Sequence, residues 1–147
     1  MLQKILNNKL RLVQFLFLVS LLMLIRVFEN QLFYDPFLNF FKNDFTKLRL
    51  PSVNSTQLFF GLLLRFTLNT AISLSIIYVI FKEIMMVKFA FILYYFLFML
   101  LIVAFFYIIF FTCENHNWIL FYIRRFLIQP IFLLLFVPGF YYQKQKR

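Results

Sequence analysis

The chain has 147 residues, of which 64% are hydrophobic, and carries a formal net charge of +10. Globular proteins are about 45–50% apolar, so the composition excludes an ordinary soluble domain and predicts a membrane protein with lipid-facing helices. The charge alone could indicate a nucleic-acid-binding protein, but the basic residues are dispersed at the ends of apolar stretches, so we expect no nucleic acid partner.

The first apolar stretch predicts a transmembrane helix over about residues 12–28. Its basic start is typical of a signal peptide, but Arg26-Val27-Phe28-Glu29-Asn30 follows the apolar residues without a small-residue cleavage site. We therefore expect an uncleaved span, with Arg26 snorkelling at its end.

The first loop is predicted to contain a helix over about residues 36–49. We expect Asp35 to be its N-cap and Pro36 its first helical residue. Apolar side chains share one face of this helix, and basic and amide side chains cover the rest. The apolar face consists of Phe37, Leu38, Phe41, Phe45 and Leu48. Such a helix is expected to lie flat in the membrane interface, where it either covers the bundle or docks another membrane protein or a lipid head group.

The second span, over about residues 58–81, carries Arg65 within its apolar sequence. A row at i, i+4 spacing is predicted to point into the bundle and consists of Gly61, Arg65, Asn69 and Ser73. Arg65 has two readings, because it can snorkel outward and set the depth of the helix, or it can bind an acidic group or an anionic ligand. Acidic partners predicted at the same level are Glu29, Asp35 and Glu114.

The third span, over about residues 89–112, rests on the uncharged run Phe89–Cys113. At ~1.5 Å per residue this run is long enough to cross a ~30 Å hydrocarbon core. The short link 81–88 predicts an antiparallel hairpin with the second span. Cys113, Glu114 and His116 are the only residues that suggest nucleophilic or metal chemistry, and this pattern is weak. We expect no catalytic residue, no metal and no cofactor.

The fourth span covers about residues 121–142, and Pro130 is expected to kink it because proline removes a backbone hydrogen bond. The span places two arginines near the level of Arg26 and Arg65. A candidate contact site at this level consists of Arg26, Glu29, Asp35, Arg65, Asn69, Arg124 and Arg125. Guanidinium groups bind carboxylates and phosphates in a fork geometry, so an uncompensated cluster could hold a lipid phosphate or an acidic stretch of another protein. The alternative is ordinary interfacial anchoring.

The predicted fold is therefore an all-α membrane protein, with four transmembrane helices and an amphipathic interfacial helix in the first outer loop. Residues 1–147 form a single integral membrane domain. The distribution of Lys and Arg between the loops predicts that both termini are cytoplasmic.

Three segments of the sequence resemble those of a known family. They are RVFENQLFYDPFLNFFK at Arg26–Lys42, RFTLNTAISLSIIYVIFK at Arg65–Lys82 and PGFYYQ at Pro138–Gln143. The chain resembles the exosortase F system-associated proteins, which are small multi-pass bacterial membrane proteins encoded beside an exosortase. An exosortase is a membrane-embedded, cysteine transpeptidase-like enzyme, and the resemblance implies a companion of such an enzyme, with no catalytic residue to carry over.

The expected function is that of a non-enzymatic accessory subunit of the bacterial inner membrane. Its expected partners are membrane lipid and another membrane protein, an exosortase or part of its system. One alternative is a small four-helix transporter or channel, although every acidic residue lies outside the spans or at their ends, which disfavours proton coupling. Another is an enzyme that uses Cys113 or the arginines on a lipid-linked substrate.

Overall fold

The computed structural model describes residues 8–43, 52, 54–111, 117–129 and 131–146, and within these ranges it contains helices and no strand. The helices are α1 (Lys9–Val27), α2 (Glu29–Leu32), α3 (Phe37–Phe40), α4 (Ser55–Phe81), α5 (Ile84–Phe111), α6 (Asn117–Ile128) and α7 (Ile131–Lys146). The predicted all-α class is confirmed for the described part of the chain.

Three helices, α1, α4 and α5, are each long and apolar enough to cross a membrane, whereas α6 and α7 qualify only as a pair. The described residues therefore contain three or four candidate spans. Helices α1, α4 and α5 all begin before the predicted starts of their spans, at Lys9, Ser55 and Ile84. The polar residues Ser55, Thr56 and Gln57 fit the first turn of α4, because the first backbone amides of a helix lack intrahelical partners.

The hairpin of α4 and α5 forms the centre of the bundle and is antiparallel, as predicted. The ring of Phe66 lies 4.6 Å from that of Phe98, and the ring of Phe59 lies 6.1 Å from that of Phe106. Only Lys82 and Glu83 separate the two helices, and Lys82 adopts a left-handed conformation with φ of 53° that ends α4. This link is shorter than the predicted 81–88 because the apolar residues after Glu83 join α5.

The bundle has two ends, which we call the loop end and the terminal end. The loop end carries α2, α3 and the start of α4, and its core includes Phe37, Leu58 and Phe105. The terminal end carries the α4–α5 link and the end of α7, where Lys144 Nζ lies 2.6 Å from Glu83 Oε1. Helix α1 has no fully buried residue and packs against the core of the terminal end.

The fourth predicted span is interrupted between Ile128 and Ile131, where α6 and α7 meet at a bend of 61°. Pro130 itself lies outside the described residues, but the bend falls where the kink was predicted, and it separates two helices. The first of them begins at Asn117, before the predicted start of the span at residue 121. This break brings the C-terminal end of α6 into the interior of the bundle.

The predicted loop helix over 36–49 differs from the structure. Helix α3 ends at Phe40, residues 41–43 form a turn, and residues 44–50 lie outside the described residues. Its N-cap is Pro36, and no side chain caps the helix. The predicted capping role of Asp35 is wrong, because buried arginines bind its carboxylate instead.

A candidate charge cluster at the loop end

Five charged side chains meet at the loop end of the bundle, and we call them the charge cluster. They are Arg26, Glu29, Asp35, Arg65 and Arg124. They come one each from α1, α2, the link between α2 and α3, α4 and α6, so only the folded bundle brings them together. All five belong to the contact site predicted from the sequence.

Glu29 connects the end of α1 to the middle of the bundle. Its Oε2 accepts a hydrogen bond from Arg26 Nη1 at 3.2 Å and a second one from Arg65 Nη2. Arg26 and Glu29 are three residues apart across the turn at Phe28. The carboxylate therefore lies between an arginine that is 56% exposed and one that is 3% exposed.

Asp35 is shared by two arginines from different helices. Its Oδ2 accepts a hydrogen bond from Arg124 Nη2 of α6 and lies 3.6 Å from Arg65 Nη1 of α4. The Asp35 side chain is only 6% exposed. Because charge-assisted hydrogen bonds are stronger than neutral ones, this carboxylate ties the first loop to α4 and α6 at the same time.

Aromatic rings cover the two buried guanidinium groups. The Arg65 guanidinium carbon lies 5.6 Å from the centre of the Phe33 ring, and that of Arg124 lies 5.6 Å from the centre of the Phe41 ring. At this distance the ring face attracts the cation and excludes water from it. The snorkelling reading of Arg65 is therefore wrong, since its guanidinium is buried between acids and an aromatic ring.

The first loop comes very close to α4 at Gly61. A Cβ atom on Gly61 would lie 2.8 Å from the backbone oxygen of Tyr34, which is shorter than a van der Waals contact. Glycine at this position lets the extended backbone next to Asp35 rest on the helix. The predicted inward row is confirmed one turn further on, where Arg65, Asn69 and Ser73 are buried.

The remaining predicted contact residues differ in their surroundings. Asn69 Nδ2 donates a hydrogen bond to the backbone oxygen of Ile128 at 2.7 Å, at the end of α6. Arg125 is exposed, its Nε donates to Gln129 Oε1 at 3.1 Å, and it has no ion pair among the described residues. Neither residue belongs to the charge cluster.

The predicted apolar face of the loop helix is described in part. Phe37 is fully buried and lies edge-on to Phe105, with 5.9 Å between ring centres. Leu38 and Phe41 are half-buried, and Phe45 and Leu48 lie outside the described residues. The described part of this face packs on the bundle, and the interfacial position of the whole segment stays a prediction.

A cleft of about 620 Å³ opens on the first loop beside the cluster. The loop residues 29–36 line it together with Leu38 and Asn39. The exposed side chains around it include Asn30, Gln31 and Asn39. Glu29 and Asp35 of the cluster are part of the lining, so the cluster holds in place a cleft that has polar side chains around it.

The charge balance of the cluster differs from the sequence interpretation. Three guanidinium groups face two carboxylates, so the described cluster keeps one positive formal charge. The prediction of an uncompensated arginine cluster is wrong for Arg65 and Arg124, because Glu29 and Asp35 bind them. Cys113, Glu114 and His116 lie outside the described residues, and the part of the chain that the structure describes contains no group of metal-binding side chains.

The aromatic covers and the close approach at Gly61 were missed in the sequence. Phenylalanine is so frequent, with 25 residues, that Phe33 and Phe41 carry no distinguishing signal. Gly61 carried one, since it is one of two glycines and precedes Arg65 by one helical turn. Comparison of the chain with family models, with curated proteins and with solved structures finds no match.

Proposed function

We propose that the chain is a non-enzymatic accessory subunit of the bacterial inner membrane that contacts a partner membrane protein through its loop end. The observation that carries this proposal is the charge cluster, which fixes the first loop to α4 and α6. The resemblance of the sequence to exosortase F system-associated proteins suggests an exosortase as the partner. The non-enzymatic part rests on the sequence, in which the only nucleophile pattern is weak.

The cluster supports a recognition role because it is a costly way to hold a loop. Buried ion pairs contribute little net stability compared with apolar residues of the same size, and their best-attested use is to specify one arrangement. Here the arrangement that they specify is that of residues 29–39, which line the cleft. A loop that is fixed before binding loses less conformational entropy when a partner docks.

The charges that remain exposed indicate the chemistry of the partner surface. Arg26 is 56% exposed, and Arg125 is exposed with only a neutral partner, Gln129. The one unbalanced positive charge of the cluster, which includes Arg26, and the charge of Arg125 make this part of the loop end basic. Guanidinium groups bind carboxylates and phosphates, so the partner surface is expected to offer acidic side chains, and lipid phosphate is expected at its edge.

Site-specific photocrosslinking in native membranes tests this proposal. The crosslinker is placed at Gln31 or Arg125 at the loop end and, as a control, at Tyr142 at the terminal end, and all three side chains are exposed. We expect a co-expressed exosortase of the same organism to be captured from positions 31 and 125 and not from 142. Equal capture from all three positions, or none from the loop end, would contradict the proposal.

A second experiment separates the cluster from the exposed residues. Glu29→Gln removes an acid that holds the loop, whereas Glu83→Gln removes the acid of the half-exposed pair with Lys144 at the other end. We expect capture from position 31 to fall in the Glu29→Gln variant and to be unchanged in the Glu83→Gln variant. A normal yield in both variants would show that the loop recognises its partner without the cluster.

A further inference from the structure

A second group of polar side chains lies deeper in the bundle than the charge cluster. Asn69 and Ser73 continue the inward row of α4 below Arg65, and Thr70 lies beside them. Tyr94 of α5 approaches from the neighbouring helix, and its hydroxyl lies near that of Ser73. All four residues are buried, with at most 9% of their surface exposed.

The hydroxyl groups of this set are poorly satisfied within the described protein. Those of Thr70, Ser73 and Tyr94 are buried and make no hydrogen bond of normal geometry with a described residue. Other hydroxyls on the helices behave differently, because Thr67 and Ser75 donate to the carbonyl four residues earlier, at 2.7 and 2.9 Å. The buried hydroxyls are therefore not satisfied by their own helix, although that bond is locally available.

Asn69 and Tyr94 place this set beside the break between α6 and α7. Asn69 donates to the last carbonyl of α6, that of Ile128. The Tyr94 ring lies 6.0 Å from that of Phe132 and 5.1 Å from that of Phe136, both on α7. The last carbonyls of a helix lack intrahelical donors, so the break adds acceptors to a place that already holds unpaired hydroxyls.

The surrounding charges select the kind of molecule that fits there. The charge cluster one helical turn away keeps a positive charge, which disfavours a cation. The C-terminal end of α6 carries a partial negative charge, which disfavours an anion. A neutral molecule that both donates and accepts hydrogen bonds satisfies hydroxyls and carbonyls together, and water is the smallest of these.

We infer that Asn69, Thr70, Ser73 and Tyr94 form a hydration site at the break in the fourth span, which binds ordered water molecules inside the bundle. A buried water typically makes about three hydrogen bonds to protein groups, and this set provides enough donors and acceptors. Backbone groups without partners are costly at membrane depth unless protein or water satisfies them. The site therefore stabilises the bent arrangement of α6 and α7, and it is independent of any partner at the loop end.

Hydroxyl-radical footprinting of the protein in lipid nanodiscs tests the inference. Radicals form at water molecules, so we expect oxidation of Tyr94 despite its burial. The control is the next residue, Tyr95, which is 60% exposed on the side of α5 that faces lipid and should be oxidised several-fold less. Oxidation of Tyr94 no greater than that of Tyr95 would overturn the inference.

Variants that remove one hydroxyl at a time also test whether the site is hydrated. Ser73→Ala is expected to reduce the oxidation of Tyr94 at least two-fold, and Ser75→Ala, whose hydroxyl bonds its own helix, is expected to leave it unchanged. Thr70→Val serves in the same way should Ser73→Ala not fold. Removal of a dry, unpaired hydroxyl would raise the melting temperature, so a higher melting temperature for Ser73→Ala and Thr70→Val would contradict a hydrated site.

Discussion

Replacement of Asp35 by asparagine should be the most damaging conservative change at the loop end. Among the described residues, Asp35 is the one carboxylate that both Arg65 and Arg124 contact, and its side chain is 6% exposed. At 3.6 Å and an effective dielectric constant of about 20, its attraction to Arg65 alone is worth about 4–5 kcal/mol before desolvation. Asparagine keeps the shape and an acceptor oxygen but removes the charge.

The net effect of Asp35→Asn follows from what remains behind. Two guanidinium groups stay buried, and Glu29 is the described acid that is left near them. Breaking a buried ion pair by removing one partner costs about 3–5 kcal/mol, and we expect a loss of this size in the free energy of unfolding. The matched control is Glu83→Gln, whose pair with Lys144 is 38% and 36% exposed, and for which we expect a loss of about 0–1 kcal/mol.

Both variants can be compared by thermal or denaturant unfolding in one detergent, followed by circular dichroism. The reasoning is refuted if Asp35→Asn is no less stable than Glu83→Gln. A double variant, Asp35→Asn with Arg124→Gln, adds a second criterion. It removes one charge of each sign, so it should recover part of the stability that Asp35→Asn loses, and a purely additive loss would show that the two residues do not interact.

Three further changes test other parts of the structure. Gly61→Ala should cost about 1–3 kcal/mol of stability, because its Cβ would lie 2.8 Å from the Tyr34 backbone oxygen. The control, Gly139→Ala, should leave stability unchanged or raise it, because a Cβ there has no neighbour within 4 Å. The melting temperatures of the two variants make the comparison. Asn69→Leu leaves the Ile128 carbonyl without its donor and should lower the free energy of unfolding by about 1–3 kcal/mol. The control is Thr67→Val, which should change stability little, because Thr67 is exposed and bonds its own helix. The same Asn69→Leu change should broaden the distance distribution between spin labels at positions 119 and 135, measured in a Cys113→Ser background, and an unchanged distribution would mean that Asn69 does not fix the bend. Arg65→Lys should lower the free energy of unfolding by most of what the cluster contributes to it, because a single ammonium group cannot contact Glu29 and Asp35 together as the guanidinium does. A variant as stable as the unchanged protein would contradict that geometry.

The helices were largely predictable because hydropathy and helical period are local properties of the sequence. The uncharged run at Phe89–Cys113, the inward row through Arg65 and the kink at Pro130 all follow from rules about single segments. The first residues of the helices were less predictable, since the predicted spans began after Ser55 and Ile84, where α4 and α5 begin. Polar residues that begin a helix look like the loop before it, and apolar residues in a short link look like the spans on either side. Hydropathy therefore does not mark either boundary.

The charge cluster was predictable in membership but not in pairing. Its residues stand out because charges are rare in apolar stretches. Which carboxylate meets which guanidinium depends on the register of α4 against α6 and on the path of the loop across Gly61. Asp35 shows the limit of local rules, because Asp35-Pro36 is a good helix-start signal and yet the carboxylate is bound by arginines that lie 30 and 89 residues further along the chain.

The order of the charged residues along the chain has a consequence for biosynthesis. Glu29 and Asp35 precede Arg65, which in turn precedes Arg124. When the segment around Arg65 leaves the ribosome, both of its carboxylate partners have already been translated, and the same holds for Arg124 and Asp35. Neither arginine therefore has to enter the bilayer before an anion that can accompany it is available, so the N-terminal position of the acids lowers the barrier to inserting two charged helices.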